Sequence, residues 1–275
     1  MLFDSHAHLN FNAYKEDLYE VAERTLKNGV WFINVGTKYE TSKKAIEVAE
    51  KHQEGIYASI GMHPVHIKTD LVKFKTDPEE GSFETLGEDY DESKYRELAK
   101  SKKVVAIGEI GLDYYYRPKT TKRLEQFKEQ QRELFIKQLG LAEELDLPVI
   151  VHCRMAHGDV MEILKNKPKI RGVIHCFTGS LQEAEEYIKM GFFIGLNGII
   201  FKLDLDEVIK NIPLDKILVE TDCPYLTPPQ AGGKDMRNEP LFVEYVAKRI
   251  AELRGIEYNK IAEVTTHNAR TLFNI

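Results

Sequence analysis

A chain of 275 residues in which 43% are hydrophobic and 30% charged has the composition of a folded globular protein, which excludes the collagen-like, low-complexity and disulfide-stapled classes. With 38 basic and 44 acidic residues the formal charge is -6, so a broad basic surface for nucleic acid or anionic lipid is excluded and any such contact must be local. Three cysteines, Cys153, Cys176 and Cys223, stand far apart with no CxxC pair, which argues against a disulfide framework or a zinc knuckle.

In chain order, short apolar runs rich in β-branched or aromatic residues alternate with amphipathic helical patterns. The runs at 1–5, 30–35, 56–60, 104–107, 148–151, 172–174, 192–195 and 217–219 predict strands. Apolar residues recurring at three and four predict helices over 18–27, 41–52, 123–145 and 182–189. Such alternation predicts an α/β architecture with a parallel sheet. Eight strands are the complement of a (β/α)8 TIM barrel, which chains of ~250 residues build as one domain, so 1–275 reads as a single barrel. Two further patterns, 241–253 and 258–272, separated by Gly255, predict extra C-terminal helices that close the last crossover. The stretch 68–93 breaks the rhythm, being acidic and aperiodic, and reads as an exposed loop excursion. No apolar run approaches the ~18 residues that span a bilayer, and the opening Met1-Leu2-Phe3-Asp4-Ser5-His6 lacks the basic head and apolar middle of a leader. The expectation is a soluble, cytoplasmic protein with reduced thiols and no membrane association.

The first chemical signal is Asp4-Ser5-His6-Ala7-His8, at the end of the first predicted strand. Period-2 alternation turns the His6 and His8 imidazoles to one side as half of a divalent-metal site, with Asp4 on the same face to orient one of them. Other ligand-type residues hold the same relative place after an apolar run: His63, Glu109, His152, His175 and Asp222. In a βα barrel the C-terminal strand ends share one rim, so these side chains are expected in one pocket. Taken singly, each of these histidines more often reads as a hydrogen-bonded core or loop residue. Glu109 and Asp222 resist that reading, because an unpaired buried carboxylate costs several kcal/mol and calls for a cation. His52 and His267 fall in helical patterns and His157 opens the helix after the fifth strand, so all three are expected at the surface or as caps. His66 lies close enough to His63 to approach the pocket without being required there. Each cysteine directly follows a ligand candidate, and the pleat turns it away, so packing rather than ligation is expected.

The stretches around these residues are Phe3-Asp4-Ser5-His6-Ala7-His8-Leu9, Gly61-Met62-His63-Pro64, Gly108-Glu109-Ile110-Gly111-Leu112-Asp113-Tyr114-Tyr115, Val151-His152-Cys153-Arg154, His175-Cys176-Phe177-Thr178-Gly179 and Glu220-Thr221-Asp222-Cys223-Pro224. In order and spacing, over nearly the whole chain, the set resembles the TatD family of metal-dependent deoxyribonucleases within the amidohydrolase-like barrel superfamily. The stretches 131–142, 195–202, Arg237-Asn238-Glu239-Pro240 and Asn268-Ala269-Arg270 agree. The resemblance implies that His6, His8, Glu109 and Asp222 hold one divalent ion and that Glu109, His152 and His175 hold a second, with Glu109 bridging. It implies also that His63 and Arg154 face the substrate phosphate. Two features depart from the family pattern: Met155 stands where an acidic residue is usual, and the 68–93 excursion is longer.

This inventory suits hydrolysis of a phosphodiester. Two ions, whether magnesium, manganese or zinc, activate water and clamp the attacking and leaving oxygens; Asp222 orients the water or takes its proton as general base. His63, if protonated, and the planar Arg154 guanidinium hold non-bridging oxygens. The acidic surface points to a strand end rather than a duplex footprint, hence an exonuclease acting on single-stranded or frayed DNA ends, with no obligate protein partner. The 3′ to 5′ polarity is implied by the resemblance alone. One alternative keeps the metals and takes small phosphate esters, or other small esters and amides. Related barrels of that kind commonly bridge with a carboxylated lysine, where this chain has Glu109. A third reading is a barrel that binds metal or a partner without catalysis.

Overall fold

The computed structural model describes residues 1–74, 77–81 and 87–275; the parts of the predicted excursion at 75–76 and 82–86 lie outside them. Apolar runs buried on both faces form parallel strands, and the helical patterns between them cover the outside. The order is β1 (Leu2–Ala7), α1 (Leu18–Lys27), β2 (Val30–Val35), α2 (Tyr39–Glu50), β3 (Ile56–Ile60), α3 (Glu92–Leu98), β4 (Val104–Asp113), α4 (Thr121–Leu145), β5 (Val149–Arg154), α5 (His157–Lys165), β6 (Gly172–Ile174), α6 (Leu181–Lys189), β7 (Phe193–Leu196), α7 (Asp206–Asn211), β8 (Ile217–Val219), α8 (Val243–Arg254) and α9 (Tyr258–Phe273). The strands make one sheet in sequence order, each parallel to the next. The seam closes just past β8, where the Asp222 N–H donates to the His6 carbonyl (2.8 Å) and the His8 N–H to the Cys223 carbonyl (2.9 Å). The expected TIM barrel with extra C-terminal helices is the observed fold.

Strand ends differ from the expected ones for a physical reason. β1, β4 and β5 run on to Ala7, Asp113 and Arg154, because the ladders pair Ala7 with Asn34, Gly111 with His152 and Asp113 with Arg154 whatever their side chains. Polar residues ended the apolar run without ending the backbone pairing. Glu109 and His152 therefore sit within strands, not just past them. The short helices α3 and α7 add to the predicted set.

Two apolar cores result. One gathers Phe3, Ile33, Ile150, Val173 and Leu218 inside the barrel and is plugged from the strand N-termini by Leu272 and Phe273 of α9, with Phe273 stacked on Phe3 at a centroid distance of 6.5 Å. The other lies between sheet and helices. The Asn268 amide, also on α9, donates to the carbonyls of Leu214 (3.0 Å) and Ile217 (2.8 Å) and so fixes the start of β8. α8 stops at Gly255 in the left-handed conformation, as expected. Among the described residues no helix is long and apolar enough to cross a membrane.

Where β4 passes β5 at the site, Gly111 adopts φ +142°, and a Cβ there would lie 2.0 Å from the His152 carbonyl oxygen. We expect Gly111→Ala to lower the unfolding free energy by about 1–3 kcal/mol, as strain of this kind does. Gly140→Ala, on α4 with open space around it, should instead raise it by about 0.5–1 kcal/mol through helix propensity. Chemical denaturation of both variants checks the pair, and equal midpoints would sink the argument.

Candidate metal centre and active site

The β1 end supplies two imidazoles. His8 Nδ1 donates to the Val35 carbonyl (2.9 Å), which leaves the Nε2 lone pair free to face the barrel mouth. His6 Nε2 lies 3.0 Å from His8 Nε2. Glu109 Oε2 lies 3.4 Å from the former and 3.8 Å from the latter, and Asp222 Oδ1 lies 3.7 and 3.5 Å from them. Four donor atoms so spaced match the ~3.4 Å edges of a tetrahedron whose metal–ligand bonds are ~2.1 Å. These residues fit a divalent ion.

The other oxygen of the same carboxylate serves a second group. Glu109 Oε1 lies 2.8 Å from His152 Nδ1, 3.1 Å from His175 Nε2 and 3.5 Å from His63 Nε2. Burial works to raise the Glu109 carboxyl, but the imidazoles of His63 and His175 and hydrogen bonds from His152 and His175 outweigh it and hold it well below its ordinary range. Burial likewise works to lower His152 and His175, yet the carboxylates facing them push His152 up to about 9 and His175 well above its usual value. The cluster demands positive charge, and a divalent cation, whose binding releases such protons, supplies it.

The protonation state of His63 is set by its surroundings. Burial and the neighbouring His152 lower it to about 3, and its Nδ1 accepts from the Val65 N–H (3.2 Å). It is therefore a neutral imidazole with an Nε2–H to donate, so the condition of protonation attached to its phosphate role is not met.

The remote nitrogens are held by residues the sequence reading missed. The Glu220 carboxylate meets His175 Nδ1 (3.1 Å) and accepts from the Cys176 N–H (2.7 Å) and the Asn197 amide (3.1 Å). Asp113 Oδ2 meets His152 Nε2 at 3.2 Å. The signal for both was present: the argument that singled out Glu109, a carboxylate amid apolar neighbours, applies equally to these buried acids. Asp4 corrects the other way. The β1–β2 register slips between Asp4 and Ala7, and the Asp4 carboxylate accepts from the Thr221 N–H (2.9 Å), the Thr221 hydroxyl (2.5 Å) and the His6 N–H (3.1 Å), not from an imidazole. It fixes the backbone that presents Asp222.

The mouth is a cavity of about 520 Å³ that His63, Glu109, His152 and Asp222 line together with Arg154. Arg154 is exposed, its guanidinium 3.7 Å over the Tyr115 ring and apart from the carboxylates. Met155 beside it is 57% exposed. His66 does reach the cavity wall, where its Nε2 pairs with Glu80 (2.9 Å). Burial works to raise the Glu80 carboxyl, but the bond from His66 brings it down to about 2. The excursion is thus not wholly exposed: Glu80 belongs to the site's rim.

Two of the three outlying histidines depart from expectation. His157 is half-buried, its Nδ1 3.2 Å from Cys153 Sγ and 3.1 Å from the Tyr187 hydroxyl, and His52 has a buried Nε2 with no partner among the described residues. His267 is exposed, as expected. The cysteines are unpaired and pack, and none joins a cluster with metal-ligand geometry among the described residues.

With this geometry in place, the comparisons with known proteins are specific. The model of the TatD related DNase family matches residues 3–274. The chain is 42% identical to the uncharacterized metal-dependent hydrolase YabD of Bacillus subtilis, covering 100% of both chains. It is 36% identical to the 3'-5' ssDNA/RNA exonuclease TatD of Erwinia tasmaniensis, again over 100% of both. The structure of the TatD homologue YjjV from Escherichia coli superposes with a TM-score of 0.81 at 31% identity, covering 100% of this chain and 98% of that one. An organophosphorus hydrolase from Deinococcus radiodurans, 14% identical with a TM-score of 0.59 over 99% of this chain and 92% of its own, shares the fold. The chain belongs to the TatD related DNase family and is a metal-dependent hydrolase.

Because Glu220 fixes the ring that faces Glu109, Glu220→Ala should weaken divalent-ion binding by about 10–100-fold, as loss of a carboxylate behind a liganding histidine does. Titration calorimetry with zinc or manganese reads this directly, and unchanged affinity in a folded variant would remove Glu220 from the site.

Proposed function

We propose that this hydrolase cleaves phosphodiesters at single-stranded or frayed DNA ends with two divalent ions. His6, His8, Glu109 and Asp222 hold one, and Glu109, His152 and His175 hold the other. The observation that carries the reading is the division of Glu109, whose Oε2 faces the β1 histidines while Oε1 faces His152 and His175. Divalent ions held by these residues would lower the pKa of a bound water and neutralise the charge that develops at phosphorus.

The chain's own groups then have distinct tasks. Burial works to raise Asp222, but a hydrogen bond from His8 and the charges of His175 and His6 keep it below its ordinary value, so it is an anion able to orient a water and take its proton. His63 offers a neutral Nε2–H to a non-bridging oxygen. Arg154, held on Tyr115 at the rim, supplies the cation and a planar fork for phosphate. Histidine and carboxylate donors together suit zinc or manganese and admit magnesium. The Erwinia relative's name supports a single-stranded nucleic acid as substrate and 3′ to 5′ digestion. The cavity of about 520 Å³ also suits a second reading, a small phosphate ester. We read 1–275 as one catalytic domain without an obligate protein partner, and its three unpaired cysteines fit the reducing cytoplasm.

Chelator-stripped protein should leave an end-labelled single-stranded oligonucleotide intact and, with magnesium, manganese or zinc restored singly, shorten it as a ladder. Glu109→Ala and His152→Ala should each reduce that rate by roughly 1,000-fold or more, since ions contribute several kcal/mol. Full rates in both folded variants would refute the site, and hydrolysis of small phosphate esters with the oligonucleotide untouched would favour the second reading.

His63 gives a separate test. His63→Gln, which keeps a donor, should cost about tenfold and His63→Leu about 100-fold in kcat/KM. Because burial holds His63 at about 3, it stays neutral above that value, so the ratio of wild type to His63→Gln should be flat from about pH 5 to 8. A ratio that falls as the pH rises would show that a charged imidazole is the active form.

A further inference from the structure

The excursion after β3 is pinned at its neck. The Glu88 N–H donates to the His66 carbonyl (2.7 Å) and the Lys68 N–H to the Glu88 carbonyl (3.2 Å). Beyond the neck its described residues run along the cavity rim. Phe74 packs edge-on against Tyr116 in the loop after β4 (6.2 Å). Residues 77–81 then cross to the far side, where the Ala13 N–H donates to the Glu79 carbonyl (2.9 Å) and the Asn12 N–H to the Glu80 carbonyl (3.3 Å). The Glu80 carboxylate, 11% exposed, accepts from the Thr37 hydroxyl (2.5 Å), pairs with His66 (2.9 Å) and has Lys38 Nζ at 3.8 Å. Asp77 accepts from the Tyr225 hydroxyl (2.7 Å) in the loop after β8.

These contacts tie the segment to the loops after β1, β2, β3, β4 and β8. None of them involves the loops after β5, β6 and β7, where Arg154, Thr178 and Ile199 line the cavity. Phe74, Asp77, Glu80 and Gly81 line it from the opposite side. A phosphate backbone drawn to Arg154 thus has a way in along β5–β7 and meets carboxylates and a latched backbone beyond the Glu109 cluster. A polyanion threading through would have to run over Asp77 and Glu80, against like charge.

We propose that residues 77–81 are an end stop: latched by Glu80 and Asp77, they make the site a blind groove that admits a strand terminus and rejects a strand continuing on both sides. The proposal rests on the nucleic-acid reading above and adds the residues that decide between end and interior. It assigns Glu80, Asp77 and Tyr225 to specificity and none of them to the chemistry.

The test compares linear single-stranded DNA with a covalently closed circle of the same sequence, alongside bis(4-nitrophenyl) phosphate, using manganese-loaded wild type and two variants. One variant breaks the latch, Glu80→Ala with Tyr225→Phe. The other replaces 69–86 by two glycines, a short gap because a Cβ at Gly87 would lie 2.5 Å from Lys68 Cα. Wild type should cut the circle about 100-fold more slowly than the linear strand, since a continuous strand cannot reach the reactive geometry. Either variant should recover about tenfold or more on the circle while its rate on the small diester stays within about twofold. Equal wild-type rates on circle and linear strand overturn the end stop together with the restriction to strand ends and leave a metal-dependent nuclease, whereas a circle that stays resistant in folded variants of both kinds overturns the end stop alone. Hydrolysis of the small diester with neither DNA cut overturns both.

Discussion

A carboxylate buried at the mouth of a barrel is the constraint from which the rest of this site follows. Glu109 is 4% exposed, and an anion so placed costs several kcal/mol unless positive charge and hydrogen bonds surround it. Five imidazoles, His6, His8, His63, His152 and His175, answer that demand, each within 4 Å of one or other oxygen, with His6 and His8 shared with Asp222. For four of them the other nitrogen is fixed by a partner, whereas His6 Nδ1 is buried with no hydrogen-bond partner among the described residues. The partner is the Val35 carbonyl for His8, Asp113 for His152, Glu220 for His175 and the Val65 N–H for His63. The buried acids Glu220 and Asp113 are thus consequences of Glu109, one layer out.

The backbone is fixed by buried side-chain amides in the same spirit. Gln131 and Gln138, seven residues apart on one face of α4, each pair both ways with the main chain: Gln131 with Asp113 (2.8 and 3.0 Å) and Gln138 with Met62 (2.7 and 2.9 Å). One helix thereby registers the residue before His63 and the residue facing His152. On the other side of the barrel the Asn238 amide donates to Thr221 (3.0 Å) and Tyr225 (2.6 Å), and Arg237 grips Asp17 with two bonds (2.8 and 2.6 Å). Each such bond contributes only about 1 kcal/mol net, but an unpaired buried partner would cost more, so the arrangement is specified as well as stabilised.

Charge is organised locally against an adverse background. On the proposed reading, a chain of net charge -6 that acts on phosphodiesters needs its attraction concentrated where the chemistry is, and the His, Glu and Asp cluster would provide it with Arg154 within one cavity. The acidic segment 77–81 on the same rim then acts as the boundary of that attractive zone rather than as an obstacle to it. Within it, His66 and Lys38 pair with the Glu80 carboxylate at 2.9 and 3.8 Å.

The alternation of apolar runs with helical patterns determined the barrel, and the position of His6, His8, His63, Glu109, His152, His175 and Asp222 at or near strand ends determined that they would meet, because parallel strands in a closed barrel bring those ends to one rim. Sequence alone did not determine where β4 and β5 stop, since polar side chains interrupt an apolar pattern while leaving the backbone ladder intact. Nor did it place Asp4 on Thr221, because a slipped register changes which way a side chain points without leaving a mark in composition. The neutrality of His63, the roles of Glu220 and Asp113, and the latching of Glu80 were decided only in three dimensions. Each depends on which groups far apart in the chain lie within about 3 Å of one another, and hydrogen bonding and desolvation act over that distance, not along the sequence.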